Sequence, residues 1–365
     1  MRYRIRHRTS YRYAAPAFES FNEVRLQPLA GPTQTLLDFD LSIEPPATVI
    51  SFRDYHGNAV HDFGVAYLHD RLVIESTSDV VTHAGADEPL AGPVGGEDVS
   101  PVLRDLAGDA ALEDELAEFL GPSVFVPLAD ESAGIAEALR VEAPGATALD
   151  FFRRAAAHVR DDLDYVLGTT TVESSVAEVL AGGSGVCQDF AHVLVSLCRH
   201  VGLPARYVSG YLGGVSVASA SHAWVEAYIP PYGWIGVDAT LGTPCTGQHV
   251  KLGVGRDYAD VAVLRGTYHG GGRAELEVEV TCESLGGLGE GAQTSSRVDE
   301  PVARLVAIQN LGAMRQYQRG AVMTQAMGGM TQEVALEELP PLREQLRPED
   351  GPPSQQPQQQ QQDGA

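Results

Sequence analysis

Past about residue 100 the hydrophobic periodicity changes once, from helical to strand-like, and that single change limits the folds open to the chain. ALEDELAEFL, the run from Ala148 to Leu163 and the run from Val172 to Leu180 place Leu, Phe, Ala and Val at helical spacing. One more helical run follows Gly182, and then come strand patterns: ARYVSGYLGG, HAWVEAYI, GWIGVDAT and ELEVEVTCESL. Helices followed by strands, rather than alternating with them, indicate an α+β fold and argue against a parallel doubly wound sheet.

Ahead of this region, from Arg2 to about His83, short alternating runs separated by turn residues predict an antiparallel β domain. The reading therefore divides the 365 residues into a β-sandwich-like domain (1–84), a Gly/Pro/acid-rich linker (85–100) and an α+β core (101–285). A flexible connector (286–300), a helical extension (301–346) and a disordered Gln/Pro tail (347–365) complete it. The helical extension is a candidate appendage for a protein partner.

The formal net charge of −24 sets phosphate repulsion across most of the surface, which excludes a general nucleic-acid or anionic-membrane binder. Arg2, Arg4, Arg6 and Arg8 alternate along one face of the first strand, either as a local basic patch or as a solvated strand face. No window approaches the roughly 20 apolar residues of a membrane span, and MRYRIRHRTSYRY lacks an apolar stretch behind its arginines. Four cysteines without a CxxC pair read as reduced thiols, so a cytoplasmic protein is expected.

In GGSGVCQDFAHVLVSLCRHVGLP, glycines precede an apolar run that Gly202 and Pro204 close, so Cys187 falls in the first turn of a helix. Free N–H groups and the positive end of the helix dipole favour a thiolate in such a position. Gly182, Gly183 and Gly185 are expected to leave room for substrate backbone. Cys198 lies mid-helix, while Cys245 and Cys282 lack a nearby histidine, so all three read as structural. A buried, inert Cys187 is the bland alternative.

In the run from His222 to Ile229, His222, Trp224, Glu226 and Tyr228 share one strand face, and Ala223, Val225, Ala227 and Ile229 the other. After the turn Pro230-Pro231-Tyr232-Gly233, the apolar face is Ile235, Val237, Ala239 and Leu241, leaving Asp238 with Trp234 and Gly236. If the apolar faces coincide, positions of equal parity must pair, for example His222 opposite Thr240. That register sets His222 and Asp238 diagonally adjacent on one face, where a carboxylate can fix the imidazole for work at the Cys187 sulfur. A structural histidine and a strand-end turn aspartate would fit the hairpin equally well. Metal ligation by Cys187, His192, His222 and Asp238 matches no common zinc spacing, and neither metal nor cofactor is expected.

The segments GSGVCQDFAHVLVSLCRHVGLPARYVSGYL and SHAWVEAYIPPYGWIGVDAT resemble the bacterial transglutaminase-like proteins, often described as cysteine proteases. The resemblance continues through His249 to Gly272, and the first strand region is similar to the β domain of one branch, so it covers roughly residues 1–285. It implies a papain-like core with a Cys187, His222 and Asp238 triad. The family usually has proline after that aspartate, where this chain has Ala239. Peptidases, amidases, acyl transferases and inactive modules share the fold. The expectation is a hydrolase of a peptide, protein or amide substrate through a thioester, with amine transfer and a noncatalytic binding module as alternatives. Trp224 and Tyr165 are candidates for the oxyanion site. Asp189 and His192 either line the cleft or tie the helix to the GRDYAD segment through Arg256 and Asp257.

Overall fold

The computed structural model describes residues 1–83, 110–213 and 221–286, together with two short strands farther on. Its N-terminal part is built around one long strand, β1 (Arg2–Val24), in which alternate residues are buried. Four strands follow it: β2 (Gln34–Glu44), β3 (Val49–Arg53), β4 (Ala59–Val65) and β5 (His69–Thr82). The first half of β1 pairs with β5, which in turn pairs with β2; its second half pairs with β4, which pairs with β3. The alternating arginines of β1 meet carboxylates on β5: Arg2 and Arg4 pair with Asp79, and Arg6 and Arg8 with Glu75. They are a neutralised strand face rather than a patch for anions.

The core begins with α1 (Ala110–Ala117), α2 (Asp130–Glu142) and α3 (Ala148–Asp162). Helix α2 escapes the sequence reading because its buried stripe is only Ser132, Ala136 and Leu139, too small and too polar to give a clear period. Helix α3 starts on a reciprocal cap between Thr147 and Asp150. A short parallel pair, β6 (Asp164–Tyr165) and β7 (Ser184–Gly185), flanks α4 (Val176–Gly182), which Gly183 ends at φ +64°. Helix α5 (Cys187–His200) follows, buried at every position but the last.

Helix α5 packs on the middle of an antiparallel sheet and is surrounded by α2, α3 and α4. That sheet comprises β8 (Ala205–Leu212), β9 (His222–Ile229), β10 (Gly233–Asp238), β11 (Thr243–Pro244) and β12 (His249–Gly255), in the order β11-β10-β9-β8-β12. Ala223, Val225, Ala227, Ile235 and Val237 belong to the same apolar core as Phe190, Val193, Leu194 and Leu197 of the helix. Each of the buried Val, Leu, Ile and Phe side chains contributes roughly 1.5–3 kcal/mol. The helix therefore cannot leave the sheet without exposing the centre of the molecule.

The core does not extend to residue 285. After the short helix α6 (Tyr258–Val261), strands β13 (Leu264–Gly270) and β14 (Ala274–Ser284) return to the N-terminal sheet and pair with the free side of β1. The alternation in ELEVEVTCESL specifies a strand with one buried face but carries no information on its partner, which lies at the other end of the sequence. Within the predicted helical extension 301–346, the described residues are strands β15 (Arg315–Tyr317) and β16 (Val322–Thr324), which pair with β14 and β13. Main-chain pairing, not helical periodicity, governs those two segments. The predicted linker, the connector beyond Gly286 and the tail lie outside the described residues.

The N-terminal domain also closes the exposed side of β12. Gln34 donates to Lys251 O and accepts from Lys251 N, and Asn58 does the same for Val254, so two side-chain amides replace a neighbouring strand. No helix among the described residues is long and apolar enough to cross a membrane.

Candidate active site

Strands β9 and β10 pair Ile229 with Gly233 through Val225 with Val237, which is the register that the apolar faces require. Continued by one step it sets Asp238 across from Trp224 and diagonal to His222. His222 Nε2 lies 2.6 Å from Asp238 Oδ2, and both side chains are buried. The carboxylate is fixed from behind: Oδ1 accepts the backbone N–H groups of Thr240 at 2.9 Å and Leu241 at 3.1 Å. This turn holds Asp238 with Ala239 as the next residue.

His249, at the start of β12, is a member of the site that the sequence reading missed. Its Nε2 lies 3.1 Å from the same Asp238 Oδ2, while its Nδ1 accepts Thr246 N–H at 3.0 Å. Because a backbone N–H can only donate, Nδ1 carries the lone pair and Nε2 the proton. The signal in the sequence was slight: one polar residue opening the strand HVKLGVG, with nothing to say which carboxylate it meets.

One ligand atom each from His222, Asp238 and His249 lies within 4.8 Å of the others, a spacing that a metal ion could in principle exploit. The hydrogen bonds argue otherwise. With Nδ1 occupied by Thr246 N–H, His249 Nε2 presents a proton rather than a lone pair, so the cluster is a carboxylate receiving donors and not a cation cage.

Cys187 is the first residue of α5 and is fully buried beside the His222 ring. His222 Nδ1 has no hydrogen-bond partner among the described residues. Burial disfavours the His222 cation, but the Asp238 carboxylate, assisted by the Cys187 thiol, outweighs it and raises the imidazole pKa. Burial likewise opposes the Asp238 anion, yet His222 and His249 together hold it below the usual carboxylate range. The arrangement favours an imidazolium and a carboxylate in contact, with the Cys187 thiol beside the ring. Burial pushes the Cys198 thiol well up, against the Arg199 charge, and the Cys282 thiol up to about 12.

Asp189, Tyr165, Trp224 and His192 lie around this centre. Asp189 caps the helix that carries Cys187, accepting Val186 N–H at 2.8 Å and Thr170 Oγ1–H at 2.6 Å. Burial raises its carboxyl to about 6, against those two donors. Gly185 is glycine for this reason: a Cβ there would sit 2.7 Å from the Asp189 side chain, so the residue makes way for the cap. The approach to Cys187 is thus shaped by helix ends as well as by any substrate. Tyr165 pairs with Gly185 in the β6–β7 ladder and packs its ring 6.0 Å from Phe190.

Trp224 lies under the site, edge-on to His249 at 5.2 Å and in the small core of Val208, Cys245 and Val254. The tie to the GRDYAD segment runs through His192, whose Nε2 accepts Tyr258 N–H at 3.2 Å, while Arg256 pairs with Asp260. Asp257 accepts Phe125 N–H. The single lysine, Lys251, joins Arg206 on the buried Glu226, an ion triad that crosses β12, β8 and β9.

Residues 136–239 match the model of the transglutaminase-like superfamily, and residues 3–81 that of the bacterial transglutaminase-like N-terminal region. An uncharacterized protein of Mycobacterium leprae is 35% identical over 291 residues, which is 78% of this chain and 99% of that protein. A crystal structure from Cytophaga hutchinsonii, of a protein provisionally named a cysteine protease, gives a TM-score of 0.62 at 24% identity over 80% of this chain and 92% of that one. At this identity the likeness speaks for the papain-like fold alone. A protein-glutamine gamma-glutamyltransferase of Pseudomonas aeruginosa is 38% identical over 66 residues, 16% of this chain but only 10% of that protein. With both family models matched in order and a full-length relative at this identity, the chain belongs to the transglutaminase-like superfamily, its bacterial N-terminal region preceding the core.

Proposed function

We propose that the protein is a cysteine-nucleophile hydrolase of a peptide or amide bond, with Cys187 as nucleophile, His222 as its acid and base, and Asp238 as the carboxylate that orients the imidazole. One observation carries this reading: His222 is held through Nε2 by Asp238, and the Cys187 thiol, at a helix N-terminus, acts on the same ring. Cys187 gives its proton to His222, and the sulfur adds to the carbonyl carbon. Free N–H groups in the first turn of α5 favour the developing oxyanion. His222 then protonates the leaving amine as the C–N bond breaks, leaving a thioester. Water loses a proton to His222 and attacks the thioester; the departing sulfur recovers that proton, and a carboxylic acid is released.

Hydrolysis requires only water as acceptor, whereas transfer requires a second site that binds an amine and excludes water. The short similarity to a protein-glutamine gamma-glutamyltransferase is the observation that favours transfer as a second reading. None of the four cysteines is in a disulfide, which fits a reducing compartment such as the cytoplasm. The test is product analysis by mass spectrometry on glutamine-containing peptides, with and without an added primary amine. Free acid as the main product, abolished by Cys187→Ala, supports hydrolysis. A majority of amine adducts would establish transfer, and no product from any peptide or amide would favour a binding module.

A further inference from the structure

Asp238 Oδ2 receives two imidazoles rather than one. His222 approaches from β9 at 2.6 Å and His249 from β12 at 3.1 Å, while Oδ1 is filled by two backbone donors. His249 is set for this contact from three directions. Thr246 N–H fixes its proton on Nε2, the Trp224 ring supports it edge-on, and the Gln34 and Asn58 amides hold the strand that carries it. The sheet on the other side is also committed to this packing: Gly210 pairs with His222, and a Cβ at Gly210 would collide with the Trp224 ring and Val250 O.

We propose that His249 is a positioning residue that tempers the triad: by filling the second acceptor site of Asp238 Oδ2, it limits how tightly that carboxylate holds the His222 imidazolium. The inference rests on the catalytic role of His222 proposed above. A carboxylate with a single imidazole donor would retain the proton on His222 more strongly and slow the steps in which neutral His222 must act as base. A second neutral donor draws away part of that charge without supplying a competing proton. Among the described residues, the titratable groups facing His222 are Asp238 from β10, His249 from β12 and Cys187 from α5; its partner on β8, Gly210, carries none.

The test is a pH titration of the His222 ring by nitrogen NMR in the full chain, with histidine labelled and His222→Gln identifying the resonance. His249→Phe and His249→Leu remove the donor and keep an apolar contact for Trp224. In either one that stays folded, the His222 midpoint should rise by about one pH unit, the scale of one charge-assisted hydrogen bond. His249→Gln retains an N–H donor and should raise it less. The pH profile of turnover should move to alkaline pH in the same order. An unchanged or lowered midpoint in the Phe and Leu variants overturns the proposal. That outcome is separable from failure of the catalytic reading, which is decided by whether Cys187→Ala retains activity.

Discussion

Asp238 Oδ2 and His222 Nε2 are 2.6 Å apart across the diagonal of the β9–β10 hairpin, with the Asp238 turn locked by the N–H groups of Thr240 and Leu241. In Asp238→Asn an amide replaces the anion, so the site loses the charge that raises the His222 pKa and the group that selects its tautomer. Turnover should fall by about 10³–10⁴. The titration of His222 should move to lower pH. A variant that keeps full turnover would show that Asp238 serves the fold alone.

Asp189 gives a pH signature distinct from the triad. Its folded pKa is raised to about 6 from 3.8, so the native state binds the proton more tightly than the unfolded chain. It therefore contributes stability as the pH falls through 6, and the gain is complete below the unfolded value. Asp189→Asn should flatten this rise, which is on the order of 2–3 kcal/mol. Parallel denaturant curves from pH 7 to 4 for both proteins would check it, and identical pH profiles would show that the carboxyl is not perturbed.

Arg199 is a buried clamp at the other end of α5. It donates to Phe119 O, Gly121 O, Ala205 O and Arg256 O, and to Ser123 Oγ, joining the helix to the loop before α2 and to the ends of β8 and β12. Arg199→Met should cost about 3–5 kcal/mol, because buried carbonyls lose their donors at once. Thermal unfolding would measure the loss. A melting point within a degree of the wild type would refute the role.

The His222–Asp238 contact is more legible in the sequence than the partners of the last strands. Parity along HAWVEAYI and GWIGVD fixes which faces coincide, and the hairpin turn is local, so the His222–Asp238 contact could be read from twenty residues. Strands β13 and β14 pair with β1 across most of the chain, and their alternation does not name that partner. His249 was hidden for the same reason: its contact with Asp238 depends on where β12 lies in the sheet, beside β8 rather than β10.

The return of those strands has a direct consequence. Ending the chain at residue 286 keeps β13 and β14 on β1, beside β4 and β5, and should leave a cooperatively folded protein. Ending it at residue 263 exposes one side of β1 along its length, together with the apolar faces that Leu276, Val278 and Val280 cover. Expression of the two truncations separates the cases. Soluble, cooperatively unfolding protein from the shorter one would contradict the pairing.

The central claim is that Cys187 is activated by His222, and limiting alkylation tests it without knowledge of a substrate. Cys187 and Cys198 are both fully buried on the same helix, so burial alone predicts similar protection. At neutral pH, iodoacetamide followed by peptide mass spectrometry should find Cys187 modified at least about tenfold faster than Cys198, Cys245 or Cys282. His222→Gln, which fills the same space without a base, should remove most of that advantage. Equal labelling of Cys187 and Cys198 in the folded protein, or undiminished labelling of Cys187 in His222→Gln, would contradict the account.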